Sequence, residues 1–305
     1  MPVTRISTPS GSAGAVAQPL RLPGRDSSRP PAVPVRAATA PLKTILALLL
    51  AAPLAAADTP AQQKGKELLR LCLEALGGEA FLKMRDRVQT GRAYQFYQEQ
   101  LRGLAVVTYY LRYDFAPSSP EPGWIGIRER RDFGKNKDWS SLFFDGKGYE
   151  ITFRGAQPYP EDYMQQYRER VRRDIFYILK YRTEEPGTII ESMGSEIIDL
   201  APTDAVRITD GDNKTVTVYL LKSNHLPMRQ EYVRRDPKTR EVVRERGHYS
   251  KYRSTAGVTL PWTTLLERDG EKIFEMFVET MEVNKGLEDS VFAFKKGIKV
   301  FPQEK

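Results

Sequence analysis

The sequence contains one cysteine and two histidines among its 305 residues. Because Cys72 has no second cysteine to pair with, a packed core must stabilise the fold without an intramolecular disulfide. Cys72 lies on the apolar face of a predicted helix, which indicates a buried and inert thiol. His225 and His248 have no histidine or cysteine partner at metal-ligand spacing. We therefore expect no metal site and no cofactor.

Motifs for catalysis are also missing from the sequence. It contains neither a G-x-S-x-G nucleophile elbow nor a phosphate-binding glycine loop. Carboxylates are plentiful, so a glycosidase-type pair stays open as an alternative, although nothing distinguishes such a pair from surface charge. The sequence predicts a protein that is not an enzyme and has no catalytic residues.

The longest apolar run, residues 45–57, is too short to cross a membrane. Thirteen helical residues extend about 20 Å, whereas the hydrocarbon core is about 30 Å thick. Lys43 precedes the run and an Ala-Ala-Ala triplet closes it, as in a secretory signal peptide. We predict a signal peptide at 41–57, cleavage after Ala57, a periplasmic location and no transmembrane anchor.

Residues 1–40 are rich in proline, arginine, serine and alanine and poor in large apolar residues. Such a segment cannot bury enough apolar area to offset the entropy of ordering it, which predicts disorder. We hypothesise that translation starts later, near Val35, and that 1–40 is a mis-assigned start. We expect the remaining 58–305 to form a single domain.

The predicted domain carries less positive charge than the whole-chain net charge of +8 indicates. Residues 1–57 contain six of the 47 Lys and Arg and one of the 39 Asp and Glu, so 58–305 carries a net charge of +3. Its basic clusters are interleaved with acidic residues, whereas a nucleic-acid binder needs a concentrated basic face. We expect no nucleic-acid partner.

Alternating apolar residues predict many strands after residue 87. Tyr109, Leu111 and Tyr113 share one strand face, and glycine-containing turns at 145–148 and 210–213 join neighbouring runs. Further strands are expected at 226–235, 241–253, 258–268 and 272–283. The pattern predicts a mainly β fold, an antiparallel meander of about eleven strands.

Two helices are predicted beside these strands. Residues 62–76 form an amphipathic N-terminal helix that ends at a Gly-Gly pair. The segment 159–181, inserted between hairpins, places an apolar stripe on one face and arginines on the other. Two interpretations of this inserted helix stay open: a helix that covers the core, or a lid over a cavity.

Three stretches resemble the periplasmic outer-membrane lipoprotein carriers. They are "ALGGEAFLKMRDRVQTGRA", "LPMRQEYVRRD" and the closing block "YSKYRSTAGVTLPWTTLLERDGEKIFEMFVETMEVNKGLEDSVF", and the similarity extends over about 62–293. The resemblance implies a half-open antiparallel β-barrel around an apolar cavity, with helices as a lid. It also implies an arginine that locks the lid onto the barrel. Arg92, Arg112 and Arg128 are candidates by strand parity, which does not choose among them.

What the resemblance implies for function is a periplasmic carrier that holds a lipid or an acylated, lipoprotein-like ligand without catalysis. The alternative is a sensor or interaction module that meets an envelope protein through the charged strand 241–253. For the carrier, the expected ligand-binding residues are Tyr94, Phe96, Tyr109, Leu111, Tyr113, Tyr149, Phe153, Tyr163, Tyr167, Val171, Ile175, Trp262 and Phe274.

The leader hypothesis predicts a mature chain that begins at Asp58, because signal peptidase cleaves after the small-residue triplet. Mass spectrometry of the protein isolated from its own cells measures this N-terminus directly. A mature species whose N-terminus lies within 1–40 would contradict the hypothesis.

Overall fold

The computed structural model describes residues 57–114, 124–236 and 239–303. These residues belong to one compact unit that spans Ala55–Lys305. The predicted disordered segment 1–40 and all of the predicted signal peptide except Ala57 lie outside the described residues.

Thirteen antiparallel strands form one large sheet. Their order is β6-β5-β4-β3-β2-β1-β15-β14-β11-β10-β9-β8-β7, and β12 pairs with β13 separately. The strands are β1 Asp86–Tyr97, β2 Gln100–Tyr113, β3 Ile127–Phe133, β4 Trp139–Phe144, β5 Lys147–Thr152, β6 Gly155–Pro158, β7 Ile189–Ile198, β8 Ala201–Thr209, β9 Thr215–Leu221, β10 Pro227–Arg235, β11 Val242–Ser250, β12 Arg253–Thr255, β13 Val258–Leu260, β14 Thr263–Arg268 and β15 Glu271–Val283. The sheet does not close on itself, because β6 and β7 are edges that do not pair with each other. The predicted half-open antiparallel barrel is confirmed.

The strand count exceeds the expected eleven because runs expected to be continuous are interrupted. The predicted strand 258–268 divides at Pro261 into β13 and β14. Proline lacks the N–H that a ladder requires, so pairing stops there and resumes with a new partner. The predicted strand 241–253 ends at Ser250 for a related reason: Lys251 has a φ of 54° and leaves the extended region.

Four helices accompany the sheet: α1 Pro60–Ala75, α2 Glu79–Lys83, α3 Glu161–Arg173 and α4 Ile175–Tyr181. A capping box starts α1, in which the Thr59 hydroxyl accepts the Gln62 N–H at 3.2 Å and the Gln62 amide accepts the Thr59 N–H at 2.9 Å. Gly65 then lets the helix lie against the backbone of β7, where an added Cβ would come within 2.7 Å of the carbonyl carbon of Glu191. Helix α1 therefore covers part of the edge strand.

The expected single helix 159–181 is two helices, and this part of the prediction is wrong. Asp174 has an extended backbone (φ −66°, ψ 128°), and its carboxylate accepts the N–H groups of Phe176 at 2.8 Å and Tyr177 at 3.3 Å. An aspartate N-cap therefore ends α3 and starts α4 in a new direction. As a result, α4 is buried along nearly its whole length, whereas α3 keeps one exposed side.

The main core lies between α1, α2, α4 and the inner face of the sheet. The core contains Leu68 of α1, Phe81 of α2 and Ile175 of α4, which pack with strand residues such as Val218. Leu76, the residue after α1, belongs to the same cluster. Cys72 is buried in this cluster, and burial raises the pKa of its thiol, as expected for an inert cysteine.

The C-terminal segment lies on the opposite, outer face of the sheet. The buried Asp86 carboxylate fixes its start by accepting backbone N–H groups of Lys285, Gly286 and Leu287 at 2.6–3.2 Å. A 3₁₀ helix, Asp289–Phe292, follows and buries Phe292. The outer face of β2–β5 is thereby partly covered by the protein's own C-terminus.

Candidate functional site

A cavity of about 540 Å³ lies on the inner face of the sheet, beneath α3. Its lining comes from β1–β4 on one side, from β10, β11, β14 and β15 on the other, and from α3 and the start of α4. Small-molecule pockets in proteins are commonly about 300–1,000 Å³. The half-barrel is therefore hollow on the scale of a lipid or a drug-sized ligand.

Cross-strand pairing determines which side chains face this cavity. Arg87 pairs with Leu111, which in turn pairs with Glu129. The next inward row contains Gln89, Tyr109 and Arg131. Because alternate residues face opposite sides of a sheet, these rows place both polar and apolar groups inside.

One wall of the cavity is apolar. It consists mainly of aliphatic side chains and the Phe274 ring, on strands near the middle of the sheet and on α3. These residues are Leu111, Ile127, Val171, Leu266, Ile273, Phe274, Met276 and Val278. Together they give the cavity apolar surface on both sides of β1, whose inward residues include the polar Arg87, Gln89 and Gln95.

A buried carboxylate ties α3 to the sheet. The Tyr167 hydroxyl on α3 donates to Glu129 Oε2 at 3.0 Å, and Arg131 Nε donates to Glu129 Oε1. The Tyr167 ring stacks on Phe143 with centroids 4.0 Å apart and planes 10° apart. The Arg131 guanidinium also lies over the Phe143 ring at 5.2 Å. The lid helix α3 is therefore held by charge-assisted hydrogen bonds and by aromatic stacking.

Electrostatics keep this carboxylate ionised. Burial favours the neutral acid, but the charge and hydrogen bond of Arg131, together with the hydrogen bond of Tyr167, bring the pKa of Glu129 below its ordinary value. Burial, followed by the charge on Glu129, raises the pKa of Tyr167 well above its ordinary value. Near neutral pH the tyrosine is the donor and the carboxylate the acceptor.

Two acidic side chains of the cavity have pKa values displaced in opposite directions. Of the acidic side chains that line it, Asp174 has a pKa raised by burial, whereas the pKa of Glu129 is lowered. The Asp174 carboxylate accepts the two N–H groups that begin α4. The fold therefore already uses the Asp174 carboxylate, and Glu129 accepts hydrogen bonds from Tyr167 and Arg131.

Seven of the thirteen expected ligand-binding residues line the cavity. They come from β2, α3 and β15, and they are Tyr109, Leu111, Tyr113, Tyr163, Tyr167, Val171 and Phe274. Their contact with a ligand remains a prediction. Their convergence follows from the inward parity of β2 and from the stripe on α3.

Two of the other six face the wrong side of β1. Arg87, Gln89 and Gln95 point into the cavity, so Tyr94 and Phe96 lie on the outer face. Tyr94 packs edge-on against Phe277 with centroids 5.7 Å apart. An aromatic pair at period two identifies a strand face without showing which side of the sheet is enclosed.

The remaining four also lie outside the lining. Tyr149 packs against Phe294 of the C-terminal segment, with ring centroids 4.9 Å apart. Phe153 is 91% exposed in the turn between β5 and β6. Ile175 is fully buried in the main core. Trp262 follows Pro261, and the Arg253 guanidinium lies 4.2 Å from the centre of its ring.

All three candidate lid arginines lie on the outer face, so this expectation is wrong. Arg92 pairs with Glu279 at 2.7 Å. Arg112 and Arg128 both bind Asp114 at 2.8 Å. The arginine beneath α3 is Arg131, whose position could have been inferred by extending the inward parity of Ile127 through residues 129 and 131.

The cavity is also more charged than the expected apolar pocket. Arg234 donates to Glu245 Oε1 at 2.7 Å, and Arg268 reaches the same oxygen at 3.1 Å. Six arginines and three acidic residues contribute to the lining. Sequence reasoning missed them because clusters of mixed charge usually mark solvated faces.

Two solved structures share this architecture. A DUF1329 family protein from Desulfovibrio piger aligns with a TM-score of 0.51 at 11% identity, over 75% of this chain and 97% of that one. A domain named for outer membrane lipoprotein sorting, from Vibrio parahaemolyticus, aligns with a TM-score of 0.50 at 11% identity, over 76% and 97%. The fold is the lipoprotein-carrier fold. The resemblance seen in the sequence is thereby confirmed for the fold.

Neither a protein-family model nor a curated protein matches the sequence. Across the described ranges, no helix has both the length and the apolar character needed to cross a bilayer. The same ranges contain no cluster of three or more His, Cys, Asp or Glu residues that could hold a metal ion.

Replacing Arg131 with methionine tests how α3 is held. The variant Arg131→Met leaves Glu129 buried without its cationic partner, which is expected to cost about 3–5 kcal/mol of unfolding free energy at pH 7. Because the folded pKa of Glu129 is lowered, the wild-type contribution is present above the ordinary pKa of about 4.3 and is lost as pH falls through the folded value. In the variant, burial raises that pKa, so the difference between the two proteins narrows below about pH 4.3. Urea unfolding across pH measures this.

Two further variants control the experiment. Glu129→Gln combined with Arg131→Met removes the buried charge and should recover part of the lost stability. Arg92→Met breaks an exposed ion pair on the outer face and should change stability little. If Arg131→Met were no more destabilising than Arg92→Met, the proposed tie between α3 and the sheet would be wrong.

Proposed function

We propose that this protein is a periplasmic carrier that holds the alkyl chain of a lipid or of an acylated, lipoprotein-like ligand in the cavity beneath α3. The observation that carries the proposal is a hollow of about 540 Å³, lined in part by apolar side chains, in a half-open barrel. The relative from Vibrio parahaemolyticus, which is named for lipoprotein sorting, supports the same class of ligand.

The apolar wall supplies a sufficient driving force. Burying a methylene group contributes about 0.8 kcal/mol, so about twelve methylenes contribute about 10 kcal/mol before the costs of association. Those costs are of similar size, about 4–15 kcal/mol. The balance favours reversible binding, as a carrier requires, and no covalent step is needed.

Helix α3 is the element that would move to admit a ligand. Tyr167 attaches it to the sheet through Glu129 and Phe143, Met164 and Arg173 are also buried, and its other side is exposed. Helix α4 is buried in the core. The break at Asp174 separates the two, so α3 can lift while α4 stays in place.

The periplasmic location rests on the leader, whose pattern of a basic flank, an apolar run and a small-residue triplet is that of a secretory signal. Carriers of insoluble acyl chains are needed where such chains must cross an aqueous compartment. The location and the cavity therefore support one function.

A second candidate function, a protein-interaction module, is favoured by the β7–β8 hairpin. Ile197 is 75% exposed, and Leu200, at the turn, is 97% exposed with a φ of 65°. A bulky residue with positive φ is uncommon and points to a functional constraint. The strand expected to meet a partner, β11, is instead paired on both edges with β10 and β14. Capture of a protein partner that Leu200→Asp abolishes, with no binding of acyl probes, would favour this function.

Filling the cavity tests the carrier proposal. Leu266 of β14 lines the cavity, whereas its neighbour Leu265 pairs with His248 on the other face. Leu266→Trp should weaken binding of the apolar fluorescent probe N-phenyl-1-naphthylamine by about tenfold or more, because the indole occupies probe volume. Leu265→Trp should leave probe affinity unchanged. Fluorescence titration measures both.

Equal probe affinity in the two tryptophan variants, with circular dichroism spectra matching the wild type, would contradict binding in this cavity. So would the absence of measurable probe binding by the wild-type protein.

A further inference from the structure

The charges that face the cavity do not balance. Five arginines face it, at positions 87, 131, 170, 234 and 268, and three acidic residues do so, Glu129, Asp174 and Glu245. A sixth arginine at the lining, Arg246, pairs with Glu231 and Glu267 on the outer face. Arg87 is half-buried and Arg170 is exposed, and a pocket for an alkyl chain alone needs neither cation. The excess of arginine therefore calls for a specific role.

Three of the five inward arginines have ion-pair partners. Arg131 binds Glu129, and Arg234 and Arg268 share Glu245. The fold uses these three arginines in its own ion pairs.

Arg87 and Arg170 differ from the others. Neither guanidinium forms a hydrogen bond or an ion pair with any described residue, although the Arg170 guanidinium lies 6.0 Å from the centre of the Tyr167 ring. Each carries five N–H donors in a planar fork that matches the oxygens of a carboxylate or a phosphate. Two such forks in one cavity offer donors that match an anion.

The two arginines line the cavity from opposite sides. Arg87 is on β1 of the sheet and Arg170 is on α3. Burial raises the pKa of Asp174, and the positive charges of Arg87 and Arg170 oppose that increase. The Asp174 carboxylate is already used to cap α4 and hydrogen-bonds to neither arginine.

Apolar surface begins directly beside this pair. Leu111 is the cross-strand partner of Arg87, and Val171 follows Arg170 on α3. Both belong to the apolar wall of the cavity. A molecule with an anionic end and an alkyl chain can therefore place both parts in one continuous site.

We propose that the cavity selects anionic amphiphiles, with a carboxylate or phosphate head bound between Arg87 and Arg170 and the alkyl chain along the apolar wall. This inference rests on the proposed carrier function and names its ligand class. Hydrogen bonds between charged groups are stronger than neutral ones, so a neutral head would lose most of the gain. A ligand head that bridges the two arginines would also link α3 to the sheet.

Displacement of N-phenyl-1-naphthylamine, which carries no charge, tests the inference with chain length held constant. The competitors are dodecanoate, dodecyl phosphate and dodecanol, all below their aggregation concentrations, with inorganic phosphate as a head without a chain. The wild-type protein should be half-displaced by the two anions at concentrations about tenfold or more below that of dodecanol. Inorganic phosphate should displace nothing.

Matched variants test whether Arg87 and Arg170 bind the anionic head. Arg87→Gln and Arg170→Gln should each weaken displacement by the anions by about tenfold, and the double variant more, with dodecanol unchanged. Arg92→Gln, on the outer face of the same strand, and Arg168→Gln, paired with Glu161 on the same helix, are the controls and should behave as wild type. Unchanged probe affinity in each variant shows that the cavity has kept its fold.

The outcomes separate the inference from the function on which it rests. Equal displacement by dodecanol and dodecanoate, or indifference to both arginine substitutions, would overturn the inference while leaving the carrier function standing. Displacement by inorganic phosphate alone would overturn it in favour of a free-anion site. If the probe binds but none of the chains displaces it, the carrier function itself fails.

Discussion

An open antiparallel sheet must cover the apolar residues on its inner face, and here the cover is incomplete. Helices α1, α2 and α4 pack directly against the sheet and form the core. Helix α3 lies over the remaining part, where Met164 and Tyr167 join the core and Tyr167 binds Glu129. The space left beneath it is the cavity, so the hollow follows from how the helices divide the inner face.

The charges of the cavity follow from the same arrangement. A buried carboxylate beneath a lid helix requires a cation beside it, and Arg131 supplies that cation. Arg234, Arg268 and Glu245 form a second compensated group on the other side. The arginines at 87 and 170 have no ion-pair partner among the described residues, and the proposed ligand head would supply one.

Local patterns predicted the architecture well but not which side of each strand is enclosed. Period two placed Tyr109, Leu111 and Tyr113 on one face, and that face is the inner one. The same reasoning failed for Tyr94 and Phe96, because the inner face of β1 contains Arg87 and two glutamines. Alternation along a strand assigns its residues to two faces. Only the pairing of distant strands such as β1 and β15 shows which face is enclosed.

The breaks in predicted elements had signals that a longer apolar pattern concealed. Asp174 lies inside an apparently continuous helical stripe, but an aspartate directly before an apolar run is also an N-cap. Pro261 gave the equivalent signal in a strand. The charged lining was the hardest feature to predict. A strand of mixed charge has the same sequence pattern whether it faces solvent or a cavity that the fold creates.

The most direct test of the central claim, that the half-barrel stays open to hold an acidic lipid, is chemical. The protein is purified from its native host without detergent and extracted with organic solvent, and the extract is analysed by mass spectrometry. The account predicts an acyl lipid with a carboxylate or phosphate head in an amount comparable to that of the protein. An extract without acyl lipid, from protein whose fold is verified by circular dichroism, would contradict it.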